Sequence, residues 1–157
     1  FTFPKNNPRL ESVVEKIRNN SNCVSIHIRR GDYVQLSSLY GGICDMEYYT
    51  NAIEYVNGKM DPHFIIISDD IEWVKENFTF KDAEFITKDM FDDYQDWYDM
   101  YIMSQCHHNI IANSTFSWWG AWLNSYKDKM VICPSKWNNK YPHKSPACEG
   151  WIVIGKN

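Results

Sequence analysis

Short apolar runs alternate with amphipathic segments along this chain, and that alternation narrows the folds open to it. Residues 23–28 and 63–67, the second with Phe64-Ile65-Ile66-Ile67 at its centre, read as strands buried on both faces. Residues 84–87, 108–112 and 130–133 read as shorter strands, the last stopped by Pro134, and 151–154 as a final one. Helical patterns fall between them. Residues 10–18 are apolar at 10, 13, 14 and 17, the spacing of one helix face. Residues 46–56 follow Asp45 as a cap and end at Asn57-Gly58. Residues 71–78, 94–105 and 116–125 complete the set. Residues 1–8 read as a loop or linker, 29–44 as a long loop carrying Gly41-Gly42, 88–93 as a turn region and 134–146 as irregular. Strands alternating with helices at this spacing imply βαβ units. The expected fold class is therefore α/β, a Rossmann-like, mostly parallel sheet flanked by helices, formed by 157 residues as one domain.

Bulk composition removes several function classes. The chain is 44% hydrophobic and 16% aromatic, which excludes disorder. A net charge of -4 argues against nucleic acid as a partner and against binding a surface through bulk charge. Any anion site must be built from a few local cations. Five scattered cysteines with no CxxC pair argue against zinc and for reduced thiols in a cytosol. No signal peptide and no membrane-spanning apolar run is visible, so a cytoplasmic placement is expected. The chain opens at Phe1 without an initiator Met, which points to a piece of something longer.

Three polar clusters fall where strands should end: Arg29-Arg30-Gly31-Asp32, Ser68-Asp69-Asp70 and Asn113-Ser114-Thr115. In open parallel sheets ligands gather at the C-terminal strand ends, so three clusters there argue for a site. His27 and Arg29, two apart, share a strand face, and Arg30 points elsewhere. Two guanidinium groups beside a glycine suit a diphosphate, because Arg offers phosphate oxygens a planar fork and Gly31 lets the backbone come close. Asp32 can hold an arginine or act as a base. The plainer reading is a surface ion-pair cluster. Arg30-Gly31-Asp32 as an adhesion tripeptide is a bare three-residue match.

Asp69-Asp70 can be read as a divalent-metal pair, but Asp70 as a helix cap is the stronger reading. Asn113, Ser114 and Thr115 are good N-cap types, and a strand, polar turn and helix N-terminus make an anion site. The competing reading is an ordinary capped helix that packs Trp118, Trp119 and Trp122 in a core. Asp92, Asp96 and Asp99 fall on one helical stripe, usually a solvated face. Asp99 stands apart because its neighbours are apolar. A buried carboxylate there would accept two N–H groups of a guanine edge. His107 and His108 diverge in a strand and read as packing or solvent residues.

Together, His27-Ile28-Arg29-Arg30-Gly31-Asp32-Tyr33, Ser68-Asp69-Asp70 and the run from Asn113 to Leu123 resemble the α-1,2-fucosyltransferases of glycosyltransferase family 11. The resemblance covers residues 23–137. It implies the C-terminal, donor-binding half of a GT-B glycosyltransferase, so that 1–157 is the GDP-sugar domain and the N-terminal acceptor domain is absent. It implies GDP-β-L-fucose as donor substrate, an oligosaccharide acceptor, inverting transfer to a galactoside, and no cofactor or metal for catalysis. By the same resemblance Arg29 and Arg30 neutralise the leaving pyrophosphate, and His27 lies against the nucleotide or orients an arginine. Ser114 and Thr115, with Asn113, bind phosphate, and Asp99 reads guanine. Asp69 and Asp70 support the donor site, and Asp32 is the nearest candidate base. Related α-1,6 enzymes carry a Glu shortly after the arginine pair. Here that region, Tyr33 to Ser38, has no carboxylate. A peripheral membrane contact of the full-length protein is a further expectation. Two alternatives stay open: another GDP-sugar as donor, such as GDP-mannose, or a non-catalytic nucleotide-binding module.

Overall fold

Six short parallel strands form one sheet in the order β3-β2-β1-β4-β5-β6. The structure is a computed structural model that describes residues 2–4 and 7–155; the expected linker at 1–8 lies partly outside them. The strands are β1 (Cys23–Ile28), β2 (His63–Ser68), β3 (Ala83–Phe85), β4 (His108–Ile110), β5 (Val131–Pro134) and β6 (Ile152–Ile154). The helices are α1 (Pro8–Arg18), α2 (Gly31–Gln35), α3 (Ser37–Tyr40), α4 (Met46–Asn57), α5 (Ile71–Asn77), α6 (Trp97–Gln105) and α7 (Thr115–Leu123). The chain builds β1, β2 and β3 outward to one side. It then returns to lay β4, β5 and β6 on the other side of β1. This is the Rossmann order, and its direction reverses between β1 and β4.

The helices form where their signals predicted. Asn7 accepts from the Leu10 N–H at 2.9 Å, and Pro8 opens α1 where its missing N–H costs nothing. Leu10, Val13, Val14 and Ile17 are the buried stripe of α1. Asp45 caps α4 through the Tyr48 N–H at 3.0 Å, and Asp70 caps α5 through the Trp73 N–H at 3.2 Å. One core lies between the sheet and α1 with α6, and a second between the sheet and α4 with α5. Every residue of β1 is buried, as a central parallel strand requires.

Several expectations are corrected. The long loop at 29–44 folds into α2 and α3. α6 begins at Trp97, so Asp92 and Asp96 precede it and the proposed acidic stripe does not exist as a helix face. Of the tryptophans of α7 only Trp118 packs against buried residues, beside Ile111, Ala121, Val131 and Cys133. Trp119 and Trp122 are 45% and 52% exposed, while Ser117, Gly120 and Ala121 are buried. The reason is the approach of α6: a Cβ on Gly120 would lie 2.9 Å from the Met103 Cβ, so only small residues fit that face.

Candidate functional site

The pairing of β1 with β4 ends at Ile26 and Ile110, and the chain ends beyond it diverge into a crevice. Two tyrosines of α4 satisfy carbonyls there. Tyr49 Oη donates to the His27 carbonyl at 2.9 Å, and Tyr48 Oη donates to the Ile111 carbonyl at 2.6 Å. Buried carbonyls need such partners, so α4 stabilises the open mouth of the sheet.

A cavity of about 550 Å³ occupies the crevice on the α6 side, within the size range of ligand sites. His27 and Arg29 line it from β1, Ser68 and Asp69 from β2, Asp99 from α6 and Phe116 from α7. The first two strand-end clusters thus meet on this cavity, while Asn113, Ser114 and Thr115 do not line it and α7 contributes Phe116 instead. Among the polar lining residues, Thr87, Lys88, Tyr94 and Asp96 escaped the sequence reading of the site. Thr87 and Lys88 follow β3, so the same strand-end rule could have found them.

Burial shifts two groups on this cavity in opposite directions, because it disfavours whichever form is charged. Burial raises the Asp99 carboxyl from 3.8 to about 6, although Tyr94 Oη donates to its Oδ2 at 2.8 Å and pulls the other way. Burial lowers His27 from 6.5 to about 3, and the Arg29 charge adds to this. The His27 imidazole is neutral, 4% exposed, and its Nδ1 has no hydrogen-bond partner.

The arginines separate. Arg29 donates from Nε and Nη2 to Asp32 Oδ1 at 3.2 and 3.0 Å, and its Nε lies 3.5 Å from Asp69. Arg30 turns to the other side of the loop. It pairs with Asp70 at 3.3 Å and lies 3.8 Å over the Trp73 ring. Gly31 does let a backbone come close, but to a carboxylate of the same chain. Asp69 accepts from the N–H groups of Arg30 and Gly31, both at 2.8 Å, and a Cβ on Gly31 would meet Asp69 Oδ2 at 2.5 Å.

At the start of α7, Asn113 is held structurally. Its side chain donates to the Trp137 carbonyl at 3.0 Å, and its own carbonyl accepts from Tyr33 Oη at 2.8 Å. Ser114 occupies the N-cap position, yet its side chain makes no capping bond. The first-turn N–H groups of α7 therefore have no side-chain cap, against the expected capping role. Thr115 is exposed. His107 and His108 lie at the opposite end of the sheet, where His108 Nδ1 accepts from the Met130 N–H at 2.9 Å.

A six-stranded parallel sheet in Rossmann order, with a crevice at its switch point, defines a Rossmann-like α/β domain with a candidate ligand site at the C-terminal strand ends. Within that class the chain belongs to glycosyltransferase family 11, whose sequence profile matches residues 7–155. The O-antigen biosynthesis glycosyltransferase WbnK of Escherichia coli is 43% identical over 141 residues, covering 86% of this chain and 45% of that protein. The alpha-1,2-colitosyltransferase of Escherichia coli is 40% identical over 149 residues, covering 87% and 49%. The human galactoside alpha-(1,2)-fucosyltransferase 1 is 30% identical over 103 residues, covering 64% and 28%. The chain spans about half the length of the two bacterial relatives. No helix among the described residues is long and apolar enough to cross a membrane.

Proposed function

We propose that this domain holds a GDP-sugar in the crevice above β1 and β4. The protein that carries it transfers L-fucose from GDP-β-L-fucose to the 2-hydroxyl of a galactoside, with inversion, in O-antigen or related surface-glycan synthesis. The observation that carries the reading is the meeting of Arg29, Phe116 from the first turn of α7 and the Asp99 carboxylate around one cavity of about 550 Å³. Ionised Asp99 accepts from the guanine edge, which offers it N–H donors. The N–H groups opening α7 take the phosphates, where the helix dipole favours negative charge. Arg29 faces the phosphate that departs as the sugar C1–O bond breaks and the acceptor oxygen attacks from the opposite face. Charge grows on that phosphate in the transition state, so a fixed guanidinium there lowers the barrier more than it strengthens ground-state binding. In this reading Asp32 is a positioning residue for Arg29, while Asp69 and Asp70 hold the loop. Neutral His27 packs against the nucleotide. The charge is carried by fixed groups of the chain, with no metal or cofactor assigned a role.

Calorimetric titration tests this with GDP, GMP and ADP, with and without EDTA. GDP should bind tighter than the other two, survive EDTA, and weaken at least about tenfold in Arg29→Ala, the loss of roughly one charge-assisted contact. Failure of the full-length protein to bind GDP would overturn the reading, and GDP binding without turnover would favour a non-catalytic module. A second donor deserves a direct assay, since a relative at 40% identity is an alpha-1,2-colitosyltransferase. Competition among GDP-sugars separates these donors.

A further inference from the structure

The loop between β5 and β6 joins two features that the crevice does not use: a run of lysines and the exposed tryptophans of α7. We propose that together they form a docking surface for an anionic membrane.

Residues 135–146 carry Lys136, Lys140, His143 and Lys144 and no Asp or Glu, in a chain whose net charge is -4. Among the described residues no ion pair claims any of these lysines. Residues 140–145 are all exposed. The Lys140 and Lys144 ammonium groups lie 5.4 and 5.2 Å from the centroid of the Tyr141 ring, which is itself exposed. Positive charge is thus gathered on one short segment of an acidic chain and left facing water, the arrangement that attracts an anionic surface.

The aromatic half adjoins the end of this segment. Trp118 Nε1 donates to the Pro146 carbonyl at 2.9 Å, which ties the loop to α7. The Trp118 ring stacks on Trp122 at 6.3 Å and meets Trp119 edge-on at 5.1 Å between centroids. Trp119 and Trp122 are the half-exposed indoles of that ridge. Charge alone would suit any polyanion. Indoles beside it favour a surface with an apolar layer beneath its charges, because an indole places its apolar body and its N–H at the headgroup level of a bilayer. Lysines with tryptophans on one exposed face are the composition of an interfacial binder.

The surface is fixed to the crevice. A second cavity, of about 320 Å³, lies on the other side of Arg29, which lines both. His27 lines only the first and Arg30 only the second. Ser37, Gly41 and Asn113 belong to the wall of the second cavity, and the basic loop is bonded to that wall. The Asn139 N–H donates to the Leu39 carbonyl at 2.8 Å, and its side chain donates to the Ser38 and Gly41 carbonyls at 3.2 and 3.1 Å. Docking through the loop therefore fixes how the crevice faces the membrane. None of this depends on what either cavity holds.

Sedimentation of the full-length protein with vesicles tests the proposal. Vesicles of phosphatidylglycerol and phosphatidylethanolamine should bind it at least about tenfold more tightly than phosphatidylcholine vesicles at low salt, and high salt should erase most of the difference. Lys140→Gln with Lys144→Gln should weaken binding about 10–25-fold, roughly fivefold for each lysine near an anionic surface. Phospholipids brominated on their acyl chains should quench tryptophan emission of the parent, and most of that quenching should vanish in Trp119→Gln with Trp122→Gln. An unchanged Tm shows that each pair of substitutions leaves the fold intact, and the lipid preference and quenching of the parent need no variant. Equal binding to both kinds of vesicle, or full binding by the folded lysine variant, overturns the proposal. Lysine-dependent binding without quenching also overturns it and points to a soluble polyanion. Protection of Trp119 and Trp122 from hydroxyl-radical labelling in the lipid-free full-length protein overturns it as well, and assigns this face to the rest of that protein.

Discussion

Asp99 and His27 line one cavity, and the same desolvation moves their proton equilibria in opposite senses. The folded state binds a proton at Asp99 up to about pH 6, whereas the unfolded chain releases it near 3.8. Asp99 therefore stabilises the fold below about pH 4 and loses that contribution as the pH rises through 6. His27 acts in reverse. Its folded value of about 3 lies below the ordinary 6.5, so stability is full above 6.5 and falls as the pH drops towards 3. Between about pH 4 and 6 the two slopes oppose each other. Asp99→Asn removes one of them, so urea melts should show the variant losing stability with acid more steeply than the parent. His107 and His108, also lowered by burial, add to that loss. GDP affinity should weaken as the parent is acidified through pH 6, because only the ionised carboxylate accepts from guanine. In Asp99→Asn the affinity should be weaker at neutral pH and flat with pH. Arg29→Lys is a second test at this scale. A single ammonium cannot reproduce the planar fork that holds Asp32 and, in the proposed reading, also meets phosphate, so turnover by the full-length protein should fall about as far as in Arg29→Ala.

At the scale of elements, the crevice depends on helices that satisfy or approach the central strands closely. Tyr49→Phe keeps the ring and removes only the donor to the His27 carbonyl, so it should cost about 1–3 kcal/mol in chemical denaturation. Gly120→Ala forces a methyl against Met103 and should cost about 1–3 kcal/mol, with α6 and its Asp99 pushed away from α7. A loss of GDP affinity larger than that of an equally destabilised variant elsewhere would confirm the displacement. These contacts explain what the sequence could and could not disclose. The apolar runs of β1 and β2 and the caps Asp45 and Asp70 are local signals, and each element formed within a few residues of its expected span. The orientation of α7 is not local. Its three tryptophans read as core, yet Gly120 and Ala121 turn inward because Met103 of α6, distant in sequence, leaves room for nothing larger. The folding of 29–44 into α2 and α3 was hidden for a similar reason. Asp69, from the next strand end, anchors the first N–H groups of that segment.

Across the whole molecule, the strand order brings the candidate strand-end groups to the C-terminal ends of the central strands β1, β2 and β4, and the two cavities share Arg29. That Arg29 and the Ser68-Asp69 end of β2 line one cavity was legible, since neighbouring strand ends follow from parallel topology; that Asn113, Ser114 and Thr115 stay off that cavity was not. Their internal pairing was not, because two adjacent arginines in sequence say nothing about which carboxylates claim them. Arg29 took Asp32 and Asp69, Arg30 took Asp70 and Trp73, and only the first reached the nucleotide-sized cavity. That division makes a ligand effect on global stability a sharp test. A ligand that binds only the folded state at a hundredfold excess over its Kd adds about 2.7 kcal/mol. For a chain of 157 residues each kcal/mol raises Tm by about 2–4 °C, so saturating GDP should raise it by about 5–11 °C. Arg29→Ala at the same GDP concentration should show a much smaller rise. Trp73→Leu, which removes the ring beneath Arg30 and leaves the first cavity intact, should lower the starting Tm yet keep most of the GDP-induced rise. If both variants lose the rise equally, the two arginines act as one site, and the partition between the cavities does not divide their work.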